Sequence, residues 1–463
     1  MREETKEITE LILEAAKKAR KETSSEPEPG FTQPITWPIQ CTVGPGLEGA
    51  IACETKIGYV NGAKGWLIYR GYDIFELCAY STFEEVSYLL LHGQIPNSRQ
   101  LKGFKKKLFD YTHIPKTKRR IMSFPIEEMN TMAALRFGIG LMRQQQTYRD
   151  IEGVIPTESV PISSDEDSIP METIPKGEPH AIYQFKGKAF KRPPKSGSEL
   201  LGSEDMESCY RLIAGVSSIT ATIARVRQGH LPIEPDPELS HAGNFLYMMT
   251  GRKPSALEER IMDVALILHA DHGMNASTFT AMVVASTLSD IYFSIDAAVA
   301  ALSGPLHGGA NQRVHEMLTE IGGPENVRAW CKKAKEEKRK IMGVGHRVYK
   351  AYDPRARVLG PLAEYLAGKN RHIKPLFKTA HALEREVCSS LGKEKCIFPN
   401  VDFYSGLIYS AMGISPDLYT PIFAVSRVSG WTARVLEYLK DNRIFRPRAV
   451  YLGQFDKKLN RGV

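Results

Sequence analysis

Three short stretches of this chain carry side chains able to move a proton beside a carbonyl group. His307 lies in GPLHGGAN, His346 in MGVGHRVYKAYDPR and Asp402 in FPNVDFYSGLIYSAMGI. After His307, the residues Ala310, Val314, Met317, Leu318 and Ile321 recur at helical spacing, which places the histidine where a helix begins. The partial positive charge at a helix N-terminus disfavours an imidazolium. A neutral imidazole can donate a hydrogen bond to a carbonyl oxygen as negative charge gathers on it, which is the chemistry of enol formation. A histidine capping a tight glycine turn fits the same letters. Asp402 sits between Val401 and Phe403, just where another helix should start. Apolar neighbours raise a carboxylate's pKa and make it a better proton acceptor, although an N-capping aspartate explains that motif alone at least as well.

Around these lie residues suited to anions. Gly343 and Gly345 make a flexible loop whose backbone N–H groups can face a ligand, His346 offers a second donor, and Lys350 and Arg355 bring positive charge before Asp353-Pro354 ends the turn. The loop lacks the P-loop and GxGxxG spacings. Arg427 in AVSRVSGW and Arg446 and Arg448 in RIFRPR offer planar forks, and separated arginines suit a substrate with two carboxylates. In LHADHGMNASTF, His269 and His272 would share a helix face if the helix is unbroken there. No third ligand stands at a fitting spacing, so metal is not expected, and a core histidine remains an alternative for His269.

The elements that must position these groups are mostly helical. Residues 1–23 put Ile8, Leu11, Ile12, Ala15, Ala16 and Ala19 on one face of an amphipathic helix, and 24–38 reads as a linker rich in Pro, Ser and Glu. Ile57–Val60 and Trp66–Tyr69, punctuated by Asn61-Gly62 and Gly65, predict a small β-hairpin. Thr82 to His92 opens as a capped helix, and the basic clusters at 102–107 and 116–120 read as a solvated face. Between Gln144 and Ser203 the pattern breaks into prolines, serines and separated acidic and basic runs, which predicts a mobile or surface-draped insertion. Helical pattern then holds from about Glu204 to about Asp441.

With 463 residues, 42% hydrophobic and 25% charged, the chain is an ordinary globular protein of two or three domains. No window offers a membrane span. The excess of 61 Lys and Arg over 53 Asp and Glu favours anionic ligands, and the absence of interleaved aromatics argues against nucleic acid. Seven scattered cysteines form neither a disulfide framework nor a zinc site and suit a reducing cytosol. The acidic N-terminus argues against a transit peptide, so a cytoplasmic location is expected.

Taken in order, GPLHGGAN, GHRVYKAYDPR, PNVDFYSG, SRVSGW and IFRPR resemble the citrate synthase family, with GLEGAIACETKIGY and KGWLIYRGYDI matching its N-terminal part. The resemblance covers roughly 46–144 and 202–453. It implies an all-α fold with a large helical domain over 41–307 and 413–463, a smaller one over 308–412, and a small N-terminal β-hairpin. It implies that Asp402 takes a proton from acetyl-CoA while His307 hydrogen-bonds the thioester oxygen, and that His346 polarises the ketone of oxaloacetate. His272, Arg355 and Arg427 match residues holding the dicarboxylate. Arg446 matches one supplied by a neighbouring subunit, so a homo-oligomer of at least two chains is implied. Val344, Gly345, Arg347, Val348 and Lys350 match the segment beside CoA. Neither metal nor resident cofactor is implied.

Residues 1–40 and the insertion at 145–200 depart from the family's pattern and carry no chemical motif. The same chemistry with propionyl-CoA, a 2-methylcitrate synthase, differs by one methylene that these motifs do not resolve. A citryl-CoA lyase would run the same bond backwards. A scaffold that binds CoA esters without catalysis would be favoured by a broken triad, but His307, His346 and Asp402 are all present.

Overall fold

The structure, a computed structural model, describes residues 5–23, 35–152, 203–392 and 397–453. Most of the insertion and of the linker therefore lies outside the described residues. Helix α1 (Lys6–Glu22) buries Ile8, Ile12, Ala15 and Ala16, the stripe read from the sequence. The expected hairpin pairs β1 (Gly58–Asn61) with β2 (Trp66–Tyr69), with Gly58 opposite Tyr69 and Asn61 opposite Trp66. A third antiparallel strand, β3 (Tyr72–Asp73), adds to it. Its turn, Arg70-Gly71, has positive φ at both residues, the geometry that matches strand twist, but lacks the Asn-Gly or Asp-Gly letters that announce one.

Helices follow in order: α2 (Ile74–Tyr80), α3 (Phe83–His92), α4 (Ser98–Thr112), α5 (Pro115–Met122) and α6 (Thr131–Glu152). After the insertion come α7 (Ser203–Arg227), α8 (His241–Thr250), α9 (Ala256–His269), α10 (Ala276–Ser286) and α11 (Ile291–Leu302). Then come α12 (Ala310–Ile321), α13 (Val327–Glu336), α14 (Pro354–Lys369), α15 (Lys374–Val387), α16 (Val401–Ala411) and α17 (Tyr419–Leu439). Their ends are written locally. Thr82 with Glu85, Asn97 with Gln100 and Ser255 with Glu258 form capping boxes, and left-handed Gly93, Gly251 and Gly322 end α3, α8 and α12. The pattern break expected at Gln144 comes later, because α6 runs on to Glu152 through the good helix formers Gln144 to Gln146.

Two helical subdomains result. In the larger, α17 is buried on every side from Tyr419 to Leu436 and packs against α3, α6, α7, α9, α10 and α11. A helix buried all round is the centre of a core rather than its wall. In the smaller, α16 packs on α12, α14 and α15. Helix α1 lies on both α2 and α14, so it touches both subdomains. The solvated-face reading of the basic clusters fails at Lys118. It is buried and pairs with Glu234 at 3.1 Å, and burial holds its pKa below the ordinary lysine value. No helix among the described residues is long and apolar enough to cross a membrane.

Candidate active site

Helix α9 stops at His269, so His269 and His272 do not share a face as an unbroken helix would have required. His269 turns into the core, with its Nδ1 2.7 Å from Ala265 O. The following loop is held from two sides. Tyr69 of β2 donates its hydroxyl to Asp271 O at 2.8 Å, and Arg434 of α17 forks onto the Asp271 carboxylate at 2.7 and 2.8 Å. Burial would raise the Asp271 pKa, but the Arg434 charge outweighs it and keeps the carboxylate ionised. Gly430 lets α17 come this close, because a Cβ there would lie 2.2 Å from Ala270 O. Held in this way, His272 reaches the cleft with its Nε2 3.2 Å from Tyr349 Oη. Burial, then the charges of Arg355 and His346, hold its pKa well below the usual value.

The glycine loop is less free than its letters suggest. Gly343 and Gly345 both have positive φ, and Val344 bridges to Pro399 as a short antiparallel contact. Gly345 N–H donates to Phe398 O at 2.8 Å, Asn400 N–H to Gly343 O at 2.9 Å, and Asn400 Nδ2 to Gly345 O at 2.8 Å. The Gly345 N–H is thus engaged within the chain rather than facing a ligand. Gly62 in the hairpin turn packs on the far side, accepting from Lys350 N at 2.9 Å. Within this loop His346 Nδ1 accepts from Val348 N at 3.0 Å and Tyr349 N at 3.2 Å. A backbone N–H can only donate, so Nδ1 is bare and the proton of the neutral ring sits on Nε2. Burial and then Arg355 hold His346 at about 4.

Asp353-Pro354 opens a helix as well as ending a turn. Asp353 caps α14 through Arg355 N at 2.9 Å, forks onto the Arg355 guanidinium at 3.0 and 2.7 Å, and accepts from Val401 N at 3.2 Å. One buried carboxylate therefore fixes Arg355 and ties α14 to the start of α16.

The helix end expected at His307 belongs to a different helix. Helix α12 begins three residues later, at Ala310, with Gly309 as its N-cap, and His307 lies in the preceding turn. Gly308 is needed in that turn because a Cβ would meet Leu302 O at 2.2 Å. It is the N-terminus of α10 that points at the imidazole. Ser277 N–H donates to His307 Nε2 at 3.2 Å, and Ser277 Oγ lies 2.9 Å from the same nitrogen. The proton of the neutral ring is therefore on Nδ1. Burial and then Arg427 bring the His307 pKa to about 4.

Asp402 is not the cap of its helix. Asn400 is, accepting from Asp402 N at 3.0 Å, which leaves the Asp402 carboxylate free for other work. Its Oδ1 is buried with no hydrogen-bond partner. Burial raises the Asp402 pKa to about 7; Arg355 and Arg427 pull it down and Asp353 pushes it up. Arg427 differs from its neighbours. Arg355 and Arg434 each have an aspartate, whereas Arg427 Nε donates to the carbonyl of His269 and its buried Nη2 has no hydrogen-bond partner. Burial lowers its pKa to about 10, so the guanidinium stays charged near neutrality and is ready for an incoming anion.

One cleft of about 2620 Å³ is lined by His272, His307, His346, Arg355, Asp402 and Arg427. Gly345, Arg347 and Val348 line it too. Val344 packs against the core, Lys350 is exposed, and Arg446 is exposed on the segment after α17; none of the three lines the cleft of its own chain. Arg434, Asp353, Asn400 and Ser277 were not singled out from the sequence. Asp353 and Asn400 have a legible capping signal, being Asp or Asn just before helical runs, but nothing local marks Ser277 or Arg434. No group of three or more metal-binding side chains occurs among the described residues.

Comparison with known proteins points to one family. The family description "citrate synthase, C-terminal domain" matches residues 46–448. The citrate synthase of Deinococcus radiodurans is 39% identical over 418 residues, covering 90% of this chain and 97% of that protein. The crystal structure of citrate synthase from Pyrobaculum aerophilum superposes with a TM-score of 0.74 at 37% identity, covering 92% of this chain and 98% of the other. A ternary complex of Thermoplasma acidophilum citrate synthase with carboxymethyl coenzyme A and oxaloacetate gives a TM-score of 0.75 at 31% identity, with 91% and 98% covered.

Proposed function

The chain belongs to the citrate synthase family, and from that premise we propose that it condenses acetyl-CoA with oxaloacetate and water to give citrate and CoA. The observation that carries this reading is the convergence, on one cleft, of a partner-free carboxylate held near 7 and two neutral imidazoles of fixed tautomer. A thioester α-proton is a very weak acid, so its removal needs charge neutralised as it develops. Asp402 takes a proton from the methyl group. His307 Nδ1–H donates to the thioester oxygen, and the product is an enol rather than a free enolate. The enol carbon attacks the ketone carbon of oxaloacetate, and the enol's hydroxyl proton returns to His307 as the thioester carbonyl re-forms. His346 Nε2–H polarises the ketone oxygen and protonates the new alkoxide, a proton replaced by the one Asp402 took from the methyl group. Water then cleaves the thioester of citryl-CoA, releasing CoA.

Arg427 and Arg355, with His272, hold the two carboxylates, the first with a free Nη2 and the second braced by Asp353. Arg446 of a neighbouring chain completes the pocket, which makes the active unit at least a dimer. Residues 344–350 lie along the CoA, and 308–412 close over the larger domain so that water is excluded until condensation is complete.

The test is turnover of the purified protein with oxaloacetate and either acetyl-CoA or propionyl-CoA, followed by free thiol release. Preference for acetyl-CoA is expected. A preference for propionyl-CoA would reassign the acyl group, where one methylene is worth about 1–3 kcal/mol. No thiol release with either substrate would overturn the reading.

A further inference from the structure

Tyr349 stands between His272 and His346 and is only 3% exposed. Its ring meets His272 edge to face with centroids 5.4 Å apart, lies tilted against His346 at 4.9 Å, and has the Arg355 guanidinium 5.8 Å from its centre. Packed on three sides, the ring fixes where its hydroxyl ends. Among the described residues that hydroxyl has one hydrogen-bond partner, His272 Nε2 at 3.2 Å. The direction of the bond follows from what each atom has left. Burial pushes the phenol pKa well above its usual value, so the hydroxyl keeps its hydrogen. Were His272 protonated on Nε2, the phenol oxygen would accept and its own hydrogen would be buried without an acceptor, which costs the full desolvation penalty of that group. With Nε2 bare the hydroxyl donates and both atoms are satisfied. The single proton of the neutral ring is then on Nδ1. That nitrogen has no hydrogen-bond partner among the described residues and opens on the cleft, unlike the sealed Nε2 of His269. A carboxylate arriving there meets an N–H, where the other tautomer would turn a lone pair towards it.

We propose that Tyr349 is a positioning residue for His272: its hydroxyl keeps the imidazole proton on Nδ1 and so makes His272 a hydrogen-bond donor to the dicarboxylate. The inference rests on the reading of His272 as a ligand of oxaloacetate. It adds that one residue serves both imidazoles on that side by different groups, since the Tyr349 backbone N–H donates to His346 Nδ1 at 3.2 Å while its hydroxyl serves His272.

Tyr349→Phe separates the two. It keeps the ring against His346 and Arg355 and keeps the backbone N–H, and it removes only the hydroxyl. In the full-length enzyme, oxaloacetate binding read by calorimetry should weaken about three- to tenfold, within the net worth of one neutral hydrogen bond. The KM for oxaloacetate should rise by a similar factor, and kcat should change much less, because His346 retains its backbone donors from Val348 and Tyr349. A loop merely loosened by the substitution would displace His346 and lower kcat instead. An unchanged affinity for oxaloacetate, or a kcat lowered as much as KM is raised, overturns the proposal.

Nitrogen-labelled histidine gives a second readout. With His272→Gln to assign the signal, the unsubstituted enzyme should show a protonated Nδ1 and a bare Nε2 at His272. In Tyr349→Phe both nitrogens should move towards intermediate values as the two tautomers mix. The opposite tautomer in the unsubstituted enzyme overturns the proposal, and that spectrum alone carries the test should Tyr349→Phe fail to fold. Absence of thiol release from the unsubstituted enzyme would defeat the proposed reaction instead, while calorimetry with oxaloacetate and the histidine spectrum would still judge Tyr349.

Discussion

Replacing Asp402 by Asn should make this protein more stable and nearly inactive, and the gain in stability should depend on pH in a defined way. The carboxyl is held at about 7 against an ordinary value of 3.8, chiefly by burial, and its Oδ1 has no partner. Below the ordinary value both folded and unfolded chains are protonated there, and the site costs nothing. As pH rises from about 4 to about 7 the unfolded chain releases its proton and the folded chain keeps it, so stability falls by about 1.4 kcal/mol per pH unit. The loss reaches about 4 kcal/mol and is then constant. The amide introduced by D402N does not titrate, so the difference in unfolding free energy between the variant and wild type should grow along that slope and level off above about pH 7.

A buried amide adds its own constant offset of about 1–3 kcal/mol for its unpaired donors, and for that reason the slope, not the absolute value, is the measurement. Urea unfolding at a series of pH values gives it directly. Activity should fall by about 10²- to 10⁴-fold, the contribution of a positioned base. In the wild type, kcat/KM for acetyl-CoA should rise with pH through about 7 as the carboxylate forms, with no second limb from His307 or His346, which are neutral above about 4. Unfolding free energies for D402N and wild type that run parallel across this range, or a D402N rate within tenfold of wild type, would refute the reasoning.

Two further outcomes follow. Arg427→Leu removes a buried guanidinium of the cleft that has no aspartate of its own, and should raise the KM for oxaloacetate by at least about 10- to 100-fold, the loss of a charge-assisted hydrogen bond; initial rates with KM within twofold of wild type would remove Arg427 from substrate binding. D402N and Arg446→Ala, each inactive alone, should recover about a quarter of wild-type activity when unfolded together in equal amounts and refolded, because in a mixed dimer one of the two sites then contains both natural residues. No recovery would place Arg446 in its own chain's site, and an active Arg446→Ala alone would place it in neither.

How much of this was legible in the letters differs from residue to residue. Helices read well because their ends are local: Thr82 and Glu85 form a capping box wherever they fold. The candidate reactive residues stand out because histidine and aspartate in glycine-bounded motifs are few, and one cleft gathers His307, His346 and Asp402. What could not be read is which nitrogen of each histidine is bare. That depends on Ser277, thirty residues before His307 in sequence, and on a loop closing back on His346 Nδ1. The helix that faces His307 was misassigned for the same reason, since spacing reveals the helix that follows a residue but not the one that packs against it. The pairings of Arg355 with Asp353 and of Arg434 with Asp271 differ in the same respect. The first is two residues long and the second spans 163.

The seam between 343–345 and 398–400 has a mechanical meaning. His346 and Asp402 leave opposite sides of that seam and travel as one piece, whereas His307 is moored to α10 through Ser277. A movement of the smaller subdomain against the larger would leave the span from Asp402 to His346 unchanged and alter the span from Asp402 to His307. In the proposed reaction the electrophile's side would thus be preset, and the carbon acid's side would be made by closure. Such a closure would engage the proposed base with the acetyl group only in the shut molecule, and idling enzyme would leave acetyl-CoA intact.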